Sequence, residues 1–142
     1  MADFRLRVVT PEHTVVDEPV TEIVTRSVEG ELGVLAHHMP LITPLVPHVM
    51  TVYQDGEGTQ SIVVSGGFME VGSEGVLILA DAAETPDQID RGRAEAARER
   101  AETRIRNGGA EIDLARAKRA LARAENRLQA TLHPARTSTS AH

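Results

Sequence analysis

The sequence predicts a β-sandwich followed by an antiparallel α-helical hairpin, because the composition of the chain changes once, at Thr85-Pro86. Before this point, short runs rich in valine and isoleucine are interrupted by glycine, proline or aspartate, a rhythm typical of β-sandwiches and barrels. After it, alanine, arginine and glutamate dominate, and all three favour helices. We therefore predict a β-sandwich at residues 1–84, a helical hairpin at residues 85–133 and a disordered tail at residues 134–142.

Formal charge divides the chain at the same point. Up to Thr85 there are three basic residues and thirteen acidic ones, whereas twelve basic and eight acidic residues follow it. The two parts carry net charges of −10 and +4, within a chain total of −6. Because surface charge steers association, we expect the two parts to face different partners.

Alternation of apolar and polar side chains identifies the strands. Phe4, Leu6 and Val8 fall on one face of a predicted strand, with Arg5 and Arg7 on the other. Later runs repeat the pattern between glycine-, proline- and aspartate-containing turns. We expect eight to ten short strands, separated by turns at residues 10–12, 28–30, 36–40, 54–58 and 72–75.

Two helices are predicted after the sandwich. Thr85–Gln88 combines an N-cap threonine, a proline at the first helical position and a glutamine that completes a capping box. The first helix should run from there to about Arg106, because Asn107–Gly109 tolerates the left-handed conformation that ends helices. The second should run over Ile112–Leu132, before Pro134.

The seam between these helices is expected to be thin. Its apolar positions are spaced by three and four residues and include several alanines. Alanine allows close helix packing but buries little area, on the order of 0.8 kcal/mol per methyl-sized group. The hairpin should therefore be mobile unless it docks on another surface. The seam positions are Leu114, Ala117, Leu121, Ala124 and Leu128.

Length and composition exclude several classes of protein. A chain of 142 residues holds one ordinary core plus an appendage. Only 2% of residues are aromatic, which argues against recognition of bases by stacking. There is no cysteine, so disulfides and thiolate chemistry are excluded. No apolar run is long enough to span a membrane, and the N-terminus has no secretory signal pattern.

Three short motifs are weighed as catalytic or metal sites and set aside. His37-His38, with His13 and His48 elsewhere, lacks a third ligand at metal-binding spacing. Ser65–Gly67 lacks the G-x-S-x-G pattern of a nucleophile elbow, and we interpret it as a tight crossover between strands. Together with Gly72, these glycines form no phosphate-binding loop. No hydrolytic site is predicted.

The arginines of the last third are interleaved with glutamates, and the simplest interpretation is a solvated helix face. Nucleic-acid binding is not expected, because the −10 charge of the first part would repel phosphate. The arginines are Arg91, Arg93, Arg98, Arg100, Arg104, Arg106, Arg116, Arg119, Arg123 and Arg127.

Several motifs stand in a fixed order along the chain: Gly30–Leu35, His38, Pro40-Leu41, Ser65–Phe68, Glu70-Val71, Leu79–Asp81 and Ile89-Asp90 followed by Arg93-Ala94. Taken together, they resemble those of the epsilon subunit of bacterial F-type ATP synthase. The resemblance covers roughly Phe4 to Leu132 and departs at Ala36-His37, where the family usually has Pro-Gly.

The resemblance implies a non-catalytic rotor subunit of the central stalk. The sandwich would bind the gamma subunit and rest on the ring of c subunits, peripheral to the cytoplasmic face of the bacterial plasma membrane. In some members the hairpin leaves the sandwich, reaches the alpha and beta subunits of the catalytic head and restrains ATP hydrolysis.

The resemblance also implies two sets of site residues. Glu31 and His38 would contact the c ring. No cofactor is expected beyond a regulatory ATP, which some members bind; the alternative for its arginines is the solvated face described above. The ATP-binding positions would be Glu84, Ile89, Asp90, Arg93, Ala94, Arg100, Arg123 and Arg127.

Two other functions are alternatives to a stalk subunit. A free-standing β-sandwich module could bind an acidic protein through the basic hairpin, and co-purification with ATP synthase subunits would distinguish it from a stalk subunit. A small hydrolase would need a nucleophile and a base, and neither is found in the sequence.

Overall fold

The computed structural model describes residues 2–56 and 58–132, without the side chain of Ile112. Within these ranges a β domain precedes a helical hairpin, which confirms the predicted fold class. The predicted tail lies outside the described residues. The strands are β1 (Phe4–Val9), β2 (Thr14–Val20), β3 (Glu22–Ser27), β4 (Gly30–Leu35), β5 (Leu41–Gln54), β6 (Gly58–Gly72), β7 (Gly75–Ala80) and β8 (Ala83–Glu84), and the helices are α1 (Arg91–Asn107) and α2 (Glu111–Leu132).

The strands form one sheet in the order β2-β1-β7-β6-β5-β3-β4, with β8 paired to β6. All neighbours are antiparallel except β1 and β7. Strand β5 pairs with β3, strand β6 pairs with β7, and β5 and β6 pair with each other. These two long strands therefore connect the half of the sheet that holds β3 and β4 with the half that holds β1, β2 and β7. A bond from Thr21 N–H to the Tyr53 carbonyl, at 2.8 Å, joins the two halves. The sheet thus folds over a single core as a sandwich.

Period-two alternation places the core. Leu6 and Val8 are fully buried, whereas Arg5 and Arg7 are exposed, as the sequence predicts. Residues of β1 through β7 join the same cluster, which includes Ile23 and other side chains from both halves of the sheet. Valine, isoleucine, leucine and methionine supply this core in place of aromatic residues.

The predicted crossover at Ser65–Gly67 is wrong. These residues lie inside β6, and the strand passes through them with φ of 100° at Gly66 and 132° at Gly67. A Cβ atom at Gly67 would overlap the carbonyl oxygen of Leu79 on β7. Glycine therefore serves a close approach of two strands, rather than a connection between them.

The first helix begins later than predicted. Pro86–Gln88 forms a single 3₁₀ turn, in which the Gln88 side-chain oxygen accepts a 3.0 Å hydrogen bond from Thr85 N–H. Ile89 is extended, and the Asp90 carboxylate then caps α1 by accepting from Arg93 N–H at 3.0 Å. The Thr85–Gln88 capping box therefore begins a short turn, and the Asp90 cap begins the helix that follows it.

The hairpin lies along the outer face of the sandwich, with α2 against β5 and β6. Its seam buries the predicted Ala117, Ala124 and Leu128 of α2, whereas the predicted Leu114 and Leu121 are half-buried. From α1 it buries Ala94 and Ala101, which were not predicted. Val63 of β6 is 2% exposed although its neighbours along the strand point into the sandwich core. Alternation directs Val63 to the outer face, where α2 covers it.

Candidate functional site

A cavity of about 340 Å³ lies where the sandwich meets the hairpin. Seven of the eight predicted ATP-binding residues line it, drawn from β8, the segment before α1, and both helices. The sequence separates these residues by as many as 43 positions, and docking of the hairpin brings them together. The lining residues are Glu84, Gln88, Ile89, Asp90, Arg93, Ala94, Ala96, Ala97, Arg100 and Arg127.

An ion pair joins the two domains at one wall of this cavity. Arg127 Nε on α2 donates to Glu84 Oε1 at the end of β8, over 2.7 Å. Both side chains are about one-third exposed or less, at 34% and 27%. A charge-assisted bond in this partly buried setting is stronger than one on an open surface. It therefore fixes Arg127 at the cavity and ties α2 to the sandwich.

Another part of the lining comes from the first three turns of α1. Asp90 caps the helix and thereby sets the direction in which Arg93 leaves it. Arg100 follows seven residues after Arg93, which returns it to the same helix face. Within the part of the chain that the structure describes, neither arginine forms an ion pair. Two guanidinium groups thus remain available to an anion.

Arg123 is the predicted residue that does not line the cavity. It is exposed on α2, one helical turn before Arg127. Helical spacing places its side chain on the same face of α2 as Arg127.

The lining chemistry fits a polyanion that carries an apolar part. Guanidinium groups of Arg93, Arg100 and Arg127 match phosphate oxygens in charge and fork geometry. Ile89 and the alanines of α1 supply an apolar wall beside them. A nucleotide combines these two features in one molecule.

The two residues predicted to contact the c ring lie at opposite ends of β4. Glu31 stands near its start and faces Arg26 of β3 at 3.9 Å. His38 follows the end of β4, with Nδ1 2.7 Å from the Met39 carbonyl. From Glu31 to Leu35 alone, the strand spans about 13 Å. The structure therefore does not bring Glu31 and His38 into one cluster.

The loop between β4 and β5 is exposed and has an unusual backbone. His37 has φ of 66°, a left-handed conformation that favours glycine. Leu35 and Met39 beside it are 49% and 78% exposed. This loop borders a cavity of about 610 Å³ that also reaches Phe4 and the turn at Glu74. The end of the sandwich thus presents apolar side chains around a recess.

An apolar patch on the outer sheet face was missed by sequence reasoning. Ile42, Phe68 and Leu79 are 72%, 55% and 53% exposed. Phe68 pairs with both Pro44 and Leu79 in register, so these side chains are direct neighbours across three strands. The sequence feature that could have revealed the patch is that β6 and β7 carry apolar residues on both faces, whereas a strand with one solvated face alternates apolar and polar residues.

A second polar site also escaped sequence reasoning. His48 of β5 is 6% exposed, and its ring nitrogens lie 2.6 Å from Thr25 Oγ1 and 2.6 Å from the Val46 carbonyl. Burial lowers the pKa of His48 below its ordinary value, the Val46 carbonyl opposes this shift, and the Arg26 charge adds to it. Across the described ranges, no cluster of three or more His, Asp or Glu side chains could hold a metal ion.

Comparison with known proteins identifies the class of this architecture. The beta-sandwich domain of ATP synthase delta/epsilon chains matches residues 3–86, and the long alpha-helix domain of the same chains matches residues 87–131. The chain therefore belongs to the delta/epsilon family of ATP synthase, whose members are non-catalytic subunits.

The similar curated proteins are epsilon chains. The ATP synthase epsilon chain of Desulforamulus reducens is 47% identical over 126 residues, covering 89% of this chain and 95% of that one. The epsilon chain of Moorella thermoacetica is 44% identical over 130 residues, covering 92% and 97%. These matches agree with the resemblance drawn from the motifs, and they run through the hairpin as well as the sandwich.

Solved structures show the same fold inside larger assemblies. A chain of the Euglena gracilis mitochondrial ATP synthase, in a cryo-EM structure of OSCP, F1 and the c-ring, matches with a TM-score of 0.79 at 31% identity, covering 94% of this chain and 83% of that one. A chain of the Tetrahymena thermophila central stalk and c-ring matches with a TM-score of 0.60 at 15% identity, covering 92% and 97%, a likeness of fold alone. Neither described helix is long and apolar enough to cross a membrane.

Proposed function

We propose that this chain is a central-stalk rotor subunit whose hairpin also acts as a brake on ATP hydrolysis. The sandwich would couple the gamma subunit to the c ring, peripheral to the cytoplasmic face of the bacterial plasma membrane. The observation that carries the brake is the way the hairpin rests on the sandwich. The packing of α2 on β5 and β6 and the Glu84–Arg127 ion pair hold it there, and such a contact separates without unfolding the sandwich.

The apolar patch of Ile42, Phe68 and Leu79 supports a protein contact with the gamma subunit. Large apolar side chains that adjoin on an exposed face often mark a surface that binds another protein. The patch lies on strands β5 to β7 of the rigid sandwich, which suits a joint that transmits torque. A rigid sheet face loses little conformational entropy when a partner covers it.

The end of the sandwich around Leu35 and Met39 supports the contact with the c ring. These side chains are exposed beside the recess that His37 and His38 border. Glu31 lies farther along the edge strand β4, so it would touch a different point of the ring or another subunit.

Regulatory ATP would occupy the cavity between the domains. Arg93 and Arg100 have free guanidinium groups there, and Arg127 is already positioned by Glu84. Because this cavity exists only while the hairpin is docked, ATP would stabilise the docked form. At ATP roughly tenfold above its Kd, the gain is about 1.4 kcal/mol. The brake should therefore engage more strongly when ATP falls.

Cysteine cross-linking tests the two stalk contacts. The native chain has no cysteine, so single cysteines at positions 68 and 39 provide defined probes in the assembled complex. Cross-links from position 68 to gamma and from position 39 to a c subunit are expected. Cross-links from both positions only to alpha or beta subunits would refute the stalk assignment.

Calorimetric titration of the purified chain tests the ATP proposal. Arg93→Ala should abolish the heat of ATP binding, because it removes a free guanidinium group from the cavity wall. Arg104→Ala is the matched control, since Arg104 is an exposed arginine of α1 outside the lining. A Kd of about 1 mM corresponds to a binding free energy of about −4 kcal/mol. If the native chain gives no heat at about millimolar ATP, ATP is not a ligand of this cavity.

A further inference from the structure

The pairing of β3 with β5 is interrupted beneath α2. Val24 pairs with Thr51, but the next pair is Ser27 with Leu45. Residues 25–26 of β3 therefore lie opposite residues 46–50 of β5, and the two strands cannot continue their ladder through this bulge. His48 stands in the middle of the longer segment.

The His48 side chain bridges the gap where the ladder is interrupted. A carbonyl only accepts, so the Nδ1 atom 2.6 Å from the Val46 carbonyl carries a proton. Nε2 then accepts from the Thr25 hydroxyl across the gap, at 2.6 Å. One neutral imidazole thus bonds Val46 of its own strand and Thr25 of the neighbouring strand. A second proton on Nε2 would turn this acceptor into a donor, so the Thr25 hydroxyl would have to turn and accept, and the buried ring would carry a charge.

The surroundings of His48 contain one positive and one negative group. Arg26 of β3 is the positive group, and Glu31 of β4 faces Arg26 at 3.9 Å. The helix above contributes Asn126 and Gln129, which are uncharged. On the other side, β6 pairs Val64 with His48. None of these neighbours offers the imidazole a direct negative partner.

A cavity of about 440 Å³ lies between the sheet and α2 beside His48. Thr25 and His48 of the sheet and Asn126 and Gln129 of α2 are among its lining residues. The described structure shows no hydrogen bond from either amide side chain to the sheet. When α2 leaves the sandwich, this polar gap opens to water, and water stabilises a charged imidazole. The charge state of His48 and the position of α2 are therefore coupled.

We propose that His48 makes docking of the hairpin on the sandwich sensitive to protons, with the neutral imidazole favouring the docked form. This inference rests on the proposed movement of the hairpin, but it concerns the isolated chain as well as the complex. Acidification would release α2, and release is the step that the proposed brake requires.

The sign follows from linkage. Docking holds the pKa of His48 below its ordinary value of about 6.5, and undocking lets it return toward that value. Docking is strongest above about pH 6.5 and weakens as the pH falls through this value toward the lower pKa of the docked form. One proton changes the docking equilibrium by at most about tenfold per pH unit in that window.

Distance measurement on the full chain tests the proposal. Spin labels at cysteines replacing Glu12 and Lys118, both exposed, report the separation of sandwich and α2 in this cysteine-free chain. As pH falls from about 8 to about 5.5, the docked fraction of the labelled chain should decrease. His48→Gln keeps hydrogen-bonding groups without a titrating charge, so its docked fraction should stay constant.

His13→Gln is the control, because His13 is exposed and lies outside the cavity. It should retain the pH response. Equal pH responses in the His48→Gln and native chains, or no response in the native chain, would overturn the proposal. Should His48→Gln fail to fold, NMR titration of the His48 imidazole in the native chain provides the second test. The docked fraction should follow the protonated fraction of His48, and a docked fraction that changes in a different pH range would contradict the proposal. ATP hydrolysis by the complex is a separate readout, so failure of the brake would not be mistaken for failure of this switch.

Discussion

At the scale of single residues, His37 occupies a backbone position suited to glycine. Its φ of 66° lies in the left-handed region, which costs a residue with a Cβ atom about 1–2 kcal/mol. The resemblance places Pro-Gly at Ala36-His37, so histidine stands where glycine would adopt this conformation without strain. The departure from the family pattern at this position therefore coincides with the strained backbone of His37.

His37→Gly should raise the free energy of unfolding by up to about 1 kcal/mol, less the extra entropy of glycine in the unfolded chain. Urea denaturation measures the change. His38→Gly is the control, because His38 has no positive φ and loses a bond to the Met39 carbonyl. His38→Gly should destabilise the protein, and a loss of stability in His37→Gly as well would contradict the strain argument.

At the scale of elements, the alternation of β1 and the glycine turns predicted most strands. Capping and stop signals predicted the first helix, and apolar spacing before Pro134 predicted the second. The long strands β5 and β6 were not predicted as continuous, because Pro44, Pro47 and Ser65–Gly67 suggest breaks. The prolines are tolerated because β5 leaves its β3 partner near Pro47. Such tolerance depends on long-range pairing, which local sequence does not encode.

The passage of β6 beside β7 depends on Gly67. Gly67→Ala should destabilise the fold by about 2–4 kcal/mol, because its φ of 132° is strained for alanine and the Cβ would overlap backbone. Thermal unfolding with calorimetry gives the value. Gly72→Ala in the same strand has open space and an ordinary φ, so it should cost less than about 1 kcal/mol. If both variants lost the same stability, the close approach of Gly67 to Leu79 would not be what requires glycine here.

The start of α1 depends on its aspartate cap. Asp90→Ala removes the bond from Arg93 N–H and should cost about 0.5–2 kcal/mol, with loss of order in the first turn of α1. Asp87→Ala is the matched control, because Asp87 is exposed in the 3₁₀ turn and does not cap α1. Chemical denaturation and amide exchange of residues 91–94 distinguish the two. Equal protection in both variants would show that the cap is dispensable.

At the scale of the whole molecule, the two domains differ in what holds them together. The sandwich has a closed core from β1 to β7, whereas the hairpin relies on small residues and on the sheet beneath it. Seven of the eight residues that the resemblance anticipated line the cavity, but local patterns could not bring Glu84 and Arg127 together. The apolar patch and the His48 gap depend on strand register, so sequence spacing did not reveal them.

Residues 1–84 should therefore fold without the hairpin, with cooperative thermal unfolding and strand-type circular dichroism. The segment of residues 85–132 alone should be only partly helical in water, since its seam is thin and helix nucleation is unfavourable. A non-cooperative transition in the first fragment would show that the sandwich needs the hairpin, and the two-part description would fail.

Truncation of the assembled ATP synthase from Asp87 onward tests the central claim most directly. The sandwich keeps the proposed contacts with gamma and the c ring, while the brake and the ATP cavity are lost. ATP hydrolysis should rise, most of all at low ATP, with subunit composition and proton-driven ATP synthesis preserved. Unchanged hydrolysis at both low and high ATP would contradict the account and leave the hairpin a structural part of the stalk.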